Sequence, residues 1–178
     1  MPATEPAATP RHRHVVVMGV SGTGKSTVGR ALATRLGMTY GEGDDLHPAA
    51  NIAKMAAGVP LDDADRAPWL AALAAWTSAQ HEQGRSTVLT CSALRRSYRD
   101  LLRSAVPERT VFVHLVAPAD VLTARMASRT HFMPPSLLSS QLRTLEPLGA
   151  DEAGSIVDVT RTIEQVVDDA AAVVEQSA

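Results

Sequence analysis

The stretch HVVVMGVSGTGKST, residues 14–27, restricts the fold more than any other part of the chain. An apolar β-branched run enters a glycine-rich turn. The turn opens into a helical pattern with Val28, Leu32 and Leu36 on one side and Gly37 as a stop. Within it, Gly19-x4-Gly24-Lys25-Ser26 is a full match to the phosphate-binding loop, in the strand–turn–helix setting that the loop requires. Gly22 and Gly24 let the backbone curl and aim successive N–H groups at an anion. The helix N-terminus adds its positive dipole end. Lys25 would reach the β and γ phosphates, the Ser26 hydroxyl would ligate Mg²⁺, and Thr27 would touch the α phosphate. The nucleotide candidates are therefore Gly19, Ser21, Gly22, Thr23, Gly24, Lys25, Ser26 and Thr27. A ligand-free glycine turn is the competing reading, and the completeness of the motif speaks against it.

The same alternation continues to the C-terminus. Strands are predicted over 14–19, 38–43, 86–91, 109–116 and 155–159. Helices are predicted over 25–36, 48–57, 64–83, 93–105, 118–129, 136–145 and 162–175. Five strands separated by helices imply an α/β fold with a five-stranded parallel sheet and helices on both faces. Residues 1–13, rich in Pro, Ala and Thr, read as a disordered tail, and 14–178 as a single domain. The helical insertion at 44–83, between strands two and three, is placed where a substrate cap would fit.

Composition removes several classes of function. A net charge of -2 gives no electrostatic case for nucleic acid or an anionic membrane. No apolar run approaches the length of a membrane span, and the N-terminus lacks a signal core. Cys91 is the single cysteine, so no internal disulfide forms, which suits a reducing compartment; the missing signal and the need for ATP imply the cytoplasm. Of the 17 basic residues, 15 are Arg and two, Lys25 and Lys54, are Lys. Where Arg is the default cation, a Lys marks a site suited to a compact point charge.

A phosphate loop alone fits a GTPase switch, a mechanical ATPase or a small-molecule kinase. No N-K-x-D element reads guanine, and no long apolar strand ends in an Asp-Glu pair. The acids come early instead, in GEGDD at the end of strand two, where strand C-termini face the ligand crevice. In extended chain Glu42 and Asp44 share a face. A short chain with acids there and a helical insertion beyond them suits a small-molecule kinase.

Three longer segments carry a resemblance: GDDLHPAANIAKMAAGVPLDDADRAPWL (43–70), CSALRRSYRDLLR (91–103) and HFMPPSLLSSQLRTLEPL (131–148). Together they resemble the P-loop gluconokinase family, relatives of shikimate kinase and the nucleoside monophosphate kinases. The resemblance implies a three-layer P-loop kinase fold, a cap over about 44–83 and a mobile lid over about 129–136. It also implies phosphorylation of D-gluconate at O6 by ATP with Mg²⁺, giving 6-phosphogluconate and ADP, and a homodimer.

Residue by residue, the resemblance makes Asp44 the group that holds the attacking hydroxyl and acts as its base; a helix N-cap is the alternative. Glu42, where the family often has Asp, falls in the outer shell of Mg²⁺ beside Ser26. His47 is a neutral donor to gluconate or a structural histidine. Lys54 is a substrate contact or a solvated lysine. Arg66 either clamps the gluconate carboxylate or pairs with Asp63 or Asp65. Trp69 reads as cap core. Ser92 is placed to bond a substrate hydroxyl. Arg99 is the stronger candidate for a carboxylate or phosphate than Arg95, which stands where the family commonly has Lys. Arg125 and Arg129 belong to the lid and approach ATP, Arg129 more so. His131 and Gln141 match substrate positions, and Arg161 a position packed on adenine. The lid lacks the glycine common in the family. Two rivals remain: a kinase for another hydroxy acid such as shikimate, and a nucleotide-binding regulatory switch.

Overall fold

A computed structural model of the chain describes residues 12–129 and 134–177. Among these residues five strands form one sheet: β1 (His14–Met18), β2 (Thr39–Glu42), β3 (Thr87–Thr90), β4 (Thr110–Val116) and β5 (Gly154–Asp158). Their order is β2-β3-β1-β4-β5 and every pairing is parallel. Strands between two helix layers are buried on both faces, which is why β1 reads as an unbroken apolar run and not as an alternation. All five of its residues are buried.

Among the described residues, seven α-helices connect and flank the strands: α1 (Lys25–Leu36), α2 (Ala49–Ala56), α3 (Asp63–Glu82), α4 (Arg96–Ser104), α5 (Ala119–Ala127), α6 (Leu138–Thr144) and α7 (Ile163–Gln176). On one face Val15, Val17, Val113 and Leu115 pack against Val28 and Leu32 of α1 and Val166 and Ala170 of α7. On the other, Val16, Met18, Leu89 and Phe112 pack against Trp69, Leu70 and Leu73 of α3 and Tyr98 and Leu102 of α4. The alternate residues of one strand therefore bind two different helix layers. The expected parallel sheet with helices on both faces is what the chain forms.

Two smaller clusters sit above the C-terminal ends of the strands. Val20 and Leu94 meet Leu122 and Met126 of α5 and Leu138 of α6. Met55 of α2 and Leu61 meet Leu137, in the 3₁₀ turn Pro135–Leu137. The insertion after β2 and the segment before α6 thus touch each other over the strand ends. Among the described residues, no helix is long and apolar enough to cross a membrane. His12 and Arg13, assigned by sequence to the tail, are described: the Arg13 N–H donates to Ser86 Oγ at 3.1 Å and its guanidinium to the Val174 carbonyl at 2.8 Å.

Candidate active site

The phosphate loop runs from β1 into α1. Gly24 stands at the N-cap of α1 with φ 85°, a conformation that glycine adopts without a Cβ penalty, and no side chain caps the helix. The first-turn N–H groups of α1 are thereby left to face an anion. The Thr23 hydroxyl donates to the Val20 carbonyl at 2.9 Å and curls the loop. The Lys25 ammonium donates to the same carbonyl at 3.1 Å. Burial lowers the Lys25 pKa, while the charges of Asp44, Cys91 and Glu42 oppose that shift.

Two further strand ends converge on this loop. After β2, residues Gly43–Leu46 form a 3₁₀ turn that carries Asp44. The turn is tight because a Cβ on Gly43 would lie 1.9 Å from the Thr90 carbonyl oxygen. After β3, Ser92 accepts from the Gly19 N–H through its carbonyl at 3.3 Å. Between and above these ends lies a cavity of about 270 Å³. Its lining joins the loop residues Ser21, Gly22, Gly24, Lys25 and Ser26 to Asp44, His47, Arg66, Trp69, Ser92, Arg129 and Gln141. Met55, Pro60, Leu61, Leu94, Met126 and Leu137 supply apolar wall. One concave site therefore holds an anion cradle, a carboxylate, the cations Lys25, Arg66 and Arg129, and neutral polar groups, as group transfer between two bound molecules requires.

Glu42 lies at the end of β2, behind Ser26. Its carboxylate accepts from Tyr40 Oη and from Thr90 Oγ1, each at 2.6 Å. Burial pushes its pKa up, but bonds from the Ser26, Thr90 and Tyr40 hydroxyls outweigh burial and hold the carboxyl below its usual range. A carboxylate anchored beside a serine hydroxyl fits a hard divalent cation completed by phosphate oxygens and water. Among the described residues, no group of three or more His, Cys, Asp or Glu is placed to hold a metal unaided.

His47 stacks on Trp69, with ring centroids 4.0 Å apart and 14° between the planes. Burial, aided by the Arg66 charge, lowers its pKa to about 4, so the ring is neutral at pH 7. Trp69 is 2 % exposed and donates through Nε1 to the Gly43 carbonyl at 2.8 Å. It is core, as its position suggests, and its ring also forms part of the cavity wall. Arg66 lies over the Tyr98 ring and donates to its hydroxyl at 3.3 Å. Asp63 and Asp65 pair with Arg95 and Lys54, so the alternative of Arg66 tying to either acid is not realised in the ion pairs. Cys91 is buried, and burial pushes its thiol up to about 12, so it is packing and not a nucleophile.

Several expected site residues stand elsewhere. Arg99 is a correction: it is fully buried, ion-paired to Glu152 at 2.7 Å, and bonded to the carbonyls of Ala93, Leu94, Glu146 and Pro147. A guanidinium with its donors committed to protein has nothing left for a substrate carboxylate. Lys54 is a second correction: both oxygens of Asp65 take its ammonium at 2.8 Å, and it is absent from the cavity lining. Arg161 pairs with Asp169 on the surface of the domain. Arg125 donates to the Val159 carbonyl at 2.6 Å. Thr27 is exposed on the first turn of α1. Gln141 lines the cavity, yet its Oε1 accepts from the Ser21 N–H at 2.8 Å, which ties it to the phosphate loop. His131 lies outside the described residues. Asp44 is not the N-cap of the following helix, since Pro48 holds that place.

Sequence reasoning missed the hydroxyls that anchor Glu42. Tyr40 is legible after the fact, two residues away on the same strand face. Thr90, 48 residues distant, carries no local signal.

The sheet order, the phosphate loop and the acids at the strand ends define a P-loop phosphotransferase of the small-molecule kinase type. The chain matches the AAA domain family over residues 15–148. It is 56 % identical over 142 residues to a gluconokinase of Gluconobacter oxydans, covering 79 % of each chain. It is 42 % identical over 164 residues to the thermoresistant gluconokinase of Escherichia coli K12, covering 90 % of this chain and 93 % of that one. The crystal structure of a gluconokinase from Sinorhizobium meliloti 1021 superposes with a TM-score of 0.85 at 46 % identity, covering 93 % of both chains. The chain belongs to the gluconokinase family.

Proposed function

We propose that the protein transfers the γ-phosphoryl group of ATP to the C6 hydroxyl of D-gluconate, giving 6-phospho-D-gluconate and ADP. The observation that carries this reading is the single cavity that joins Lys25 and Ser26 of the phosphate loop to Asp44, His47, Arg66 and Ser92. Family membership supplies the acceptor.

In this reading the loop N–H groups and Lys25 hold the β and γ phosphates. Asp44 accepts the C6 hydroxyl, orients it in line and takes its proton as the bond to phosphorus forms. Phosphoryl transfer passes through a loose transition state, so placement and charge do most of the work. Arg66, a planar fork facing the cavity, takes the gluconate carboxylate. Ser92 and His47 bond hydroxyls of the polyol. Arg129, on the cavity wall, neutralises charge on the transferring group. Ser26 with Glu42 behind it would hold Mg²⁺, which when bound supplies charge at the β and γ oxygens. The segment 44–83 serves as the cap and 129–136 as the lid; Met55 and Leu61 of the cap meet Leu137, which follows the lid in the chain. A homodimer and a cytoplasmic location complete the proposal.

The test is coupled ADP release with Mg-ATP, with gluconate set against shikimate, other aldonates and no acceptor. Selective stimulation by gluconate is expected. Lys25→Ala should abolish it, and Asp44→Asn should lower kcat by about 10²–10⁴. Stimulation by another acid would overturn the acceptor. ATP binding with no acceptor response would point to a nucleotide switch.

A further inference from the structure

Asn51 and Lys54 stand three residues apart on α2, and the phosphoryl-transfer chemistry uses neither directly. Both converge on Asp65. Lys54 takes the carboxylate, which also closes a capping box with Asp62 at the start of α3. Asn51, 3 % exposed, donates through Nδ2 to the backbone carbonyl of Asp65 at 2.8 Å. A carbonyl can only accept, so the amide atom facing it must be nitrogen. The same Nδ2 lies 3.4 Å from Nδ1 of His47, four residues back. Of the two amide hydrogens, one serves Asp65 and the other is left for His47. Nδ1 therefore accepts, and in a neutral imidazole the remaining proton then sits on Nε2.

The rest of the ring is equally constrained. Trp69 covers one face of His47 and is itself pinned to the Gly43 carbonyl. His47 lines the cavity while Asn51 does not, so the edge turned from Asn51 is the one available to a ligand.

We propose that Asn51 is a positioning residue that fixes His47 as the Nε2–H tautomer, so that Nε2 presents a neutral donor to an oxygen of the acceptor. The identity of that acceptor rests on the gluconate reading above; the tautomer assignment does not. A donor matches a carboxylate or hydroxyl oxygen of a sugar acid. The opposite tautomer would aim a lone pair at the same place. The clamp on Asp65 couples the two side chains: Lys54 holds the residue whose carbonyl holds Asn51.

The experiment uses the full chain with ¹⁵N-labelled histidine and long-range ¹H–¹⁵N correlation at pH 7, ligand-free. The spin system that disappears in His47→Gln is His47. It should show an unprotonated Nδ1 and a protonated Nε2, and Asn51→Ala should give a mixture of tautomers. In steady-state assays Asn51→Ala should raise the gluconate KM about tenfold, the loss of roughly one hydrogen bond. Its Kd for a fluorescent ATP analogue should stay within about twofold. His47→Asn, whose amide falls near Nδ1, should raise the gluconate KM about threefold more than His47→Gln, whose amide falls near Nε2. A protonated Nδ1 in the unmodified chain overturns the proposal. So does an Asn51→Ala variant with tautomer and KM unchanged. If Asn51→Ala does not fold, the unmodified spectrum and the two His47 variants still decide. If the unmodified chain ignores gluconate, the acceptor assignment falls while the spectrum still judges Asn51.

Discussion

His14 and His114 are buried on central strands, 1 % and 4 % exposed. Burial lowers both pKa values to about 4, with the charges of His81 and His12 adding to the first and Arg99 to the second. His14 has partners, Thr87 Oγ1 at 2.9 Å and His81 Nδ1 at 3.0 Å. His114 differs: among the described residues, neither of its ring nitrogens has a hydrogen-bond partner. In the unfolded chain both rings titrate near 6.5, so between about pH 6.5 and about pH 4 the unfolded state binds more protons. Stability is complete above that window and is lost as pH falls through it. Each ring contributes on the order of 3 kcal/mol of acid destabilisation. His114→Phe should flatten this acid limb by up to one proton, measured by urea unfolding at a series of pH values. An unchanged slope would show that His114 already titrates normally in the fold.

The start of α3 is set by a reciprocal pair: the Asp62 carboxylate accepts from the Asp65 N–H at 2.8 Å, and Asp65 accepts from the Asp62 N–H at 3.1 Å. The first turn so fixed carries Arg66 to the cavity. Loss of an N-cap costs about 1 kcal/mol. Asp62→Ala should therefore lower Tm by roughly 2–4 °C and also raise the gluconate KM. Thr162→Ala breaks the matching box of α7, Thr162 with Gln165, away from the cavity. It should cost a similar amount in Tm and leave KM unchanged. Equal KM effects from the two would separate Arg66 placement from the helix start.

Arg99 and Glu152 join distant parts of the chain. The guanidinium and carboxylate are essentially unexposed and lie 2.7 Å apart, and Arg99 also gathers carbonyls from the loop after β3 and from the segment after α6. Ala93, in that loop, adopts φ 47°, a left-handed conformation that this clamp helps to hold. Breaking one side of a buried pair costs about 3–5 kcal/mol, because the other charge stays buried alone. Arg99→Met should lose that much by urea unfolding. Arg99→Met with Glu152→Met should recover part of it but not all, since the carbonyls remain without their donor. Full recovery would mean that the carbonyl bonds contribute nothing.

Much of this was legible along the chain. The phosphate loop, the strand–helix alternation and the placement of Asp44 follow from local rules: glycine geometry, helical and extended spacing, and the chemistry of a strand end. α1 was read to the residue because Gly24 and Gly37 both mark its limits in backbone terms. What could not be read was which cations were already committed. Arg99 and Lys54 look like substrate residues in sequence, yet each meets its carboxylate across a gap in the chain, Glu152 53 residues away and Asp65 11. Glu42 is tied to Thr90, and Gln141 to Ser21, on the same terms. Sequence fixes what each side chain is able to bond. Only the packed fold, by bringing distant partners within 3 Å, decides which of those bonds are made inside the protein and which are left for a ligand.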